Sequence, residues 1–263
     1  MTAERSRYAS GFEKVAGMVP ETVALLRAWT PGMSAETLAD AAVAWNLLGK
    51  ATTNRVRDMV TRGFAQRYLQ PDDSPARVLK TLSEAGMDLS RLRTLLFIYT
   101  ARSSSLLADF MVEVYWRNAR AGRATLGNPE VQRFIIDSFG TTKLPAGWAD
   151  SLVTRVARGL TRALADFGFL RSRRAAVHDI IPWRMNDYTA RFLCHEAHVR
   201  GVSDLGILEL PEWAWLGMET AEVPGFLSRL SASSGDFLFQ YSGEMARFSW
   251  SYAGMEGFLN AKR

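Results

Sequence analysis

Asp150-Ser151-Leu152-Val153-Thr154-Arg155-Val156-Ala157-Arg158-Gly159-Leu160-Thr161-Arg162-Ala163-Leu164-Ala165-Asp166-Phe167-Gly168-Phe169-Leu170 is the stretch whose reading decides the fold class. At 100° per residue, Leu152, Val153, Val156, Leu160, Ala163 and Phe167 share one side, with Leu164 at its edge. Apolar recurrence at intervals of three and four marks an amphipathic helix. Arg155, Arg158 and Arg162 line up on the opposite face. Like charges at these spacings repel by roughly a few tenths of a kcal/mol per pair unless an anion or partner neutralises them, and Asp166 is placed to relieve only Arg162. Arg171, Arg173 and Arg174 continue the charge past the helix end. Cations are favoured there by the helix dipole, which accounts for those three but not for Arg155.

The same periodicity runs through the preceding residues. It predicts helices over 20–29, 34–48, 52–69, 74–82, 89–117 and 128–139. Ser34 reads as an N-cap, as does Thr52 or Thr53, and Ser74-Pro75 as a cap followed by proline at the first helical position. Residues 118–127 read as a polar linker and 140–147 as a loop. After Arg174 the pattern changes. Pro182, Pro211 and Pro224 interrupt it, four of the eight tryptophans fall there, and Phe248-Ser249-Trp250-Ser251-Tyr252 alternates as a half-buried strand does. The expectation is a mainly α, multi-helix globular protein. It divides into a helix-turn-helix-like N-terminal region (1–72), a basic helical core (73–174), and an acidic, aromatic-rich C-terminal region (175–263) with room for one or two short strands.

Charge divides along the same line. Residues 1–174 carry 25 Lys and Arg against 16 Asp and Glu, a net of +9, and residues 175–263 carry 7 against 11, a net of −4. All but four of those 25 cations are arginine, whose planar fork suits bidentate phosphate contact. An acidic partner for the basic part is the expectation, with coding bias and solubility as the plain alternative. One cysteine, Cys194, allows no internal disulfide and fits a reducing compartment. The start lacks the apolar core of a secretory signal, and the most apolar run, 95–116, is interrupted by Arg102, Asp109 and Glu113. That run reads as a buried helix, not a membrane span. A cytoplasmic protein without membrane contact is expected.

Candidate binding residues come from two helices. On a wheel of 53–69, Val56, Met59, Val60, Gly63 and Phe64 share one side. Asn54, Asp58, Thr61, Arg62 and Ala65 lie opposite, flanked by Arg55 and Arg57. Following the apolar helix 34–48 after a glycine-containing turn, this resembles a helix-turn-helix. Thr52 and Thr53 would then sit at the helix N-terminus near phosphate, and Arg55, Arg57 and Arg62 would reach backbone or base edges. The alternative is a plain helical hairpin with paired arginines, such as Arg55 with Asp58. Arg155, Arg158 and Arg162 complete the candidate DNA-binding set. Arg117, Arg120 and Arg123 form a third, weaker group.

The catalytic search finds no complete site. Cys194-His195-Glu196-Ala197-His198 spaces its histidines by three where the metalloprotease helix needs four, and no second cysteine offers a third zinc ligand. Cys194 reads as a buried small hydrophobe on an amphipathic helix. There is no Gly-x-Ser-x-Gly elbow and no phosphate-binding glycine loop. Ser103-Ser104-Ser105 reads as a packing feature inside an apolar helix. No enzyme activity, cofactor or metal is expected.

Ala44-Trp45-Asn46-Leu47-Leu48-Gly49-Lys50-Ala51-Thr52, followed by Arg55 and Arg57, resembles the N-terminal motif of the BrxA family, small accessory proteins of BREX bacteriophage-exclusion systems. Further blocks agree in order: Tyr8-Ala9-Ser10 with Gly17-Met18-Val19-Pro20-Glu21; Leu95-Leu96-Phe97-Ile98-Tyr99 through Val112-Glu113-Val114-Tyr115; and Trp148, Thr154-Arg155 and Phe167-Gly168-Phe169-Leu170. The resemblance spans about 8–170. It implies a helical, non-enzymatic protein that binds double-stranded DNA with little sequence preference, beside a methyltransferase and other BREX components. It points to Thr52, Thr53, Arg55 and Arg57 for DNA contact. Arg62, Arg155, Arg158 and Arg162 come from the wheels alone. The competing expectation is a scaffold that docks other defence proteins through Trp213, Trp215, Trp250 and Tyr252.

Overall fold

Ser34 and Thr52 open two successive helices by the same device. The Ser34 hydroxyl accepts from Thr37 N–H at 3.1 Å and the Thr52 hydroxyl from Arg55 N–H at 3.3 Å, so each satisfies one of the first-turn donors that a helix leaves free. These caps sit in a computed structural model that describes residues 7–49, 51–173 and 176–261. Lys50 of the quoted N-terminal motif and Arg174 of the basic run lie outside the described residues. The chain is mainly α, 60% helix and 9% strand. It forms two compact units, the first ending at Pro182 and the second starting at Trp183.

In the first unit α1 is Val19–Ala28 and α2 is Ala35–Ala44. α2 stops four residues before the predicted Leu48 because Asn46 turns left-handed, φ 49°, a conformation that asparagine tolerates better than most residues. α3 (53–68) is three contiguous stretches, α-helical Thr53–Asp58, π-helical Met59–Phe64 and α-helical Ala65–Tyr68. A π turn adds residues to the helical register. A uniform 100° wheel therefore fails beyond it: Ala65, expected on the polar side, is buried, and so is Arg67.

α4 is Ser74–Glu84 and α5 is Leu89–Arg102. The single helix expected over 89–117 is in fact two. Ser104 is extended (φ −143°, ψ 100°), and its hydroxyl caps the next helix by accepting from Leu107 N–H. α6, Ser105–Arg120, leaves at 113° to α5. Ser103–Ser105 is thus a break and a cap, not a packing feature within one helix. Among the described residues no single helix is long and apolar enough to cross a membrane. Most apolar side chains of the bent pair, though not Leu89 or Val112, lie in the core, where the Phe169 ring meets Phe97 (4.7 Å) and Tyr115 (5.4 Å).

Part of the expected linker is β1, Thr125–Gly127, which leads into α7, Asn128–Ile136. α8, Asp150–Phe167, is followed by β2, Leu170–Ser172, and β3, Val177–Ile180. β3 is central and antiparallel to both neighbours, with His178 opposite Leu126 on one side and Ser172 on the other. This pairing is why the division falls at Pro182 and not at Arg174: residues 176–182 complete a sheet begun in the first unit. The Tyr115 hydroxyl ties the sheet to α6 through the carbonyls of Phe169 (3.2 Å) and Ile181 (3.1 Å).

The second unit holds α9 (Asp187–Val199), α10 (Asp204–Leu208), α11 (Pro211–Trp215), α12 (Val223–Ser234), the hairpin β4 (Phe237–Tyr241) and β5 (Ala246–Trp250), and α13 (Met255–Ala261). The alternating run is a strand, as its period predicts. Its aromatics serve the unit's own core. Trp250 lies between Phe248 (4.8 Å) and His198 (4.4 Å), and buried His195 stacks on Phe258 at 4.5 Å.

Candidate functional site

The site begins with a strap, residues 11–18, laid across α8. A 3₁₀ turn, Gly11–Glu13, approaches the helix at Gly159, where a Cβ would fall inside the Phe12 carbonyl. Only glycine allows backbone to come this close. Further along, a Cβ on Gly17 would lie 2.5 Å from that of Asp166, whose carboxylate accepts from Met18 N–H at 3.2 Å. From α3, the buried Arg67 guanidinium donates to the carbonyls of Val15 (3.2 Å), Ala16 (2.7 Å) and Gly17 (3.2 Å). Arg67 therefore holds the strap from one side and α8 receives it on the other. A buried charge is tolerated when it is hydrogen-bonded in this way. Burial pulls the Arg67 pKa down from its usual value, yet arginine stays protonated at any ordinary pH.

The strap brings its own Glu13 and Lys14 beside two helices. Lys14, Arg55, Arg155, Arg158 and Arg162 line one cavity of about 190 Å³, with Glu13 its single carboxylate among the described residues. Glu13 accepts from Arg155 Nε at 3.1 Å. Arg55 donates to the Lys14 carbonyl through Nη1, and Lys14 Nζ reaches Asp58 at 3.7 Å. Exposed Arg158 and Arg162 have no ion pair within 4 Å among the described residues, although Arg162 feels the Asp166 carboxylate at longer range. Burial raises the pKa of Asp166.

Of the eight sequence candidates, Arg55, Arg155, Arg158 and Arg162 are brought together. The other four do not line this cavity. Arg57 is paired with Asp40 (2.6 Å), Arg62 with Asp58 (3.0 Å), Thr52 is occupied as the α3 cap, and Thr53 is exposed beside it. The pairing of Arg55 with Asp58 that the plain-hairpin alternative offered is not formed; Arg62 takes Asp58 instead. Lys14 was missed, since a three-residue 3₁₀ turn leaves no periodic signal. Among the remaining arginines, Arg123 pairs with Glu130 at 2.8 Å and Arg173 with Asp179 at 2.6 Å.

In the second unit, among the described residues, no group of three or more His, Cys, Asp or Glu could share a metal ion, and the same holds for the first. Burial raises the pKa of the Cys194 thiol. Trp213, a candidate docking anchor, is buried and donates to the Ile207 carbonyl at 2.7 Å.

A family model, BrxA, matches residues 6–196. The chain belongs to the BrxA family. The match covers the strap, both arginine-bearing helices and the sheet, and runs on into α9. This BrxA-family chain also resembles in fold a crystal structure of an uncharacterized protein from Magnetospirillum magneticum. The two share 16% identity with a TM-score of 0.57, over 78% of this chain and 98% of that one. No curated protein matches it.

Proposed function

We propose that this BrxA-family chain is a non-catalytic accessory protein of a BREX-type phage-defence system that binds double-stranded DNA through arginine–phosphate contacts, with little sequence preference. The observation that supports this is the convergence of Arg55, Arg155, Arg158 and Arg162, from helices about a hundred residues apart, around one cavity with a single carboxylate among the described residues. Arg158 and Arg162, four residues apart and without an ion pair within 4 Å among the described residues, repel in the free protein, and a phosphate backbone is the partner that relieves this and gains fork-like hydrogen bonds. The family resemblance agrees, and extends the proposal to cooperation with other BREX components such as a methyltransferase, in the cytoplasm and without cofactor. Little base readout is expected, because Arg57, which the helix-turn-helix reading would send toward bases, is paired with Asp40.

Fluorescence anisotropy on random-sequence duplex DNA tests the proposal. If about five phosphates are neutralised, log K falls against log salt with a slope of roughly −4 to −5. No binding at low salt, or a flat slope, would remove it. The docking alternative loses one of its four candidate anchors, because Trp213 is spent on the core of its own unit.

A further inference from the structure

A second cavity, of about 600 Å³, lies between α8 and the paired strands β2 and β3. It shares Arg158 and Arg162 with the first and adds Arg173, Ser172, Asn128 and His178. His178 is nine-tenths buried, yet neither ring nitrogen has a hydrogen-bond partner among the described residues. Its pairing in β3 sets it on the same sheet face as buried Leu126 on one side and exposed Ser172 on the other. Asn128 is also buried. Its carbonyl oxygen accepts from the Thr161 hydroxyl at 3.3 Å, leaving the amide nitrogen as its remaining donor. Buried polar atoms without partners are rare, and each asks for a ligand or water.

The lining sorts into two chemistries. Arg158 and Arg162 supply guanidiniums with no carboxylate within 4 Å among the described residues, while Arg173 is held by Asp179. This part suits a phosphate. His178, Asn128 and Ser172 are neutral donors and acceptors. Burial keeps the His178 pKa below its ordinary value, so its imidazole offers one N–H and one lone pair at neutral pH. The volume is in the range of small-molecule pockets and much larger than one phosphate needs.

We propose that this cavity is a nucleoside-phosphate site, distinct from the duplex-binding cavity and joined to it through Arg158 and Arg162. The nucleotide could be free or the unpaired end of a DNA strand; the chemistry recognised is the same. The phosphate takes Arg158 and Arg162, and the base or sugar takes His178, Asn128 and Ser172.

The test is calorimetry on the full chain with deoxynucleoside 5′-monophosphates, inorganic phosphate, a blunt duplex, and the same duplex with one unpaired, phosphorylated 5′ nucleotide. The monophosphates are expected to bind at least about tenfold more tightly than inorganic phosphate. His178→Ala and Ser172→Ala should each weaken them about tenfold while leaving blunt-duplex affinity within about twofold. Tighter binding of the overhang than of the blunt duplex assigns the nucleotide to a DNA end, and equal binding assigns it to the free pool. Inorganic phosphate binding as tightly as the nucleotides, absence of saturable nucleotide binding, or indifference to Ser172→Ala overturns the proposal. If His178→Ala fails to fold, the nucleotide-to-phosphate ratio on the wild-type chain and Ser172→Ala still decide it. Nucleotide binding without blunt-duplex binding would sink the duplex reading alone, and the reverse would sink this one alone.

Discussion

Glu13 accepts a hydrogen bond from Arg155 Nε at 3.1 Å, across 142 residues of sequence, and is the single carboxylate that the described residues place in the arginine-lined cavity. It does two opposed things. It ties the strap to α8, and it withholds one arginine from an anionic partner. The pair is half exposed on the Arg155 side, so its own contribution to stability is small, about 0–1 kcal/mol. Its effect on charge in the cavity is the larger one. Glu13→Gln is therefore expected to strengthen duplex binding several-fold at low salt, steepen the salt slope by about one unit, and leave the unfolding temperature nearly unchanged. Anisotropy and a thermal melt on the same preparation measure both. Weaker binding by Glu13→Gln would show that the ion pair positions Arg155 for its partner, contrary to this account.

Gly159→Ala tests the strap. The new methyl group would meet the Phe12 backbone carbonyl, which is no flexible side-chain end. Forcing the strap away costs about 1–3 kcal/mol and separates Glu13 and Lys14 from the α8 arginines. The melting temperature should fall by several degrees, while duplex binding changes little because the loss of Lys14 is offset by the release of Arg155 from Glu13. A Gly159→Ala protein with wild-type stability would mean that the strap does not lie on α8.

Arg67→Met removes the guanidinium that serves the carbonyls of Val15, Ala16 and Gly17 while keeping a similar stem. Buried acceptors left without donors cost about 1–3 kcal/mol, so a loss of roughly that size or more is expected in urea denaturation. Duplex affinity measured on the folded fraction should fall less than in Arg158→Ala, because Arg67 faces the strap and not the cavity.

The fold class and half of the cavity were legible in the residues, and the reasons differ. α8 is long and one-sided, so its wheel names both the buried stripe and the three arginines opposite it. Thr52 and Ser34 announce caps because their chemistry is local. The remainder depends on information that periodicity does not carry. The π stretch in α3 shifts the register past Phe64, so Ala65 was misplaced and Arg67 gave no sign of turning inward. β1, β2 and β3 have three or four residues each, too few to show an alternation. Ser103-Ser104-Ser105 is a cap signal within an apolar run, and the apolar run hid it. Whether an arginine meets a carboxylate is a matter of tertiary placement: Arg57 and Arg62 found Asp40 and Asp58, while Arg158 found none among the described residues.

Acid should destabilise the first unit through His178. Burial lowers its folded pKa below the ordinary 6.5. As pH falls the unfolded chain takes up the proton first, so the contribution is present above about 6.5 and is lost as pH drops through the folded pKa. Melting temperature should decline between about pH 7.5 and 5.5 in the wild type, and less steeply in His178→Asn. Parallel pH profiles for the two proteins would contradict the buried, neutral imidazole.

Cys194, the chain's one thiol, is fully buried and its pKa is pushed up by burial. Reactivity belongs to accessible thiolates. A chromogenic disulfide reagent is expected to leave the native protein unmodified and to titrate one thiol in denaturant. Rapid reaction of the native chain would show that α9 opens.

The central claim is that arginines from α3 and α8 act together on one duplex. The most direct measurement compares the salt dependence of duplex binding for the wild type with Arg155→Ala/Arg158→Ala/Arg162→Ala, after circular dichroism shows both folded. The account predicts a wild-type log–log slope of roughly −4 to −5 that shrinks by about two units, to roughly −2 to −3, in the triple variant, since Glu13 already withholds Arg155. A triple variant that keeps the wild-type slope and affinity would contradict it.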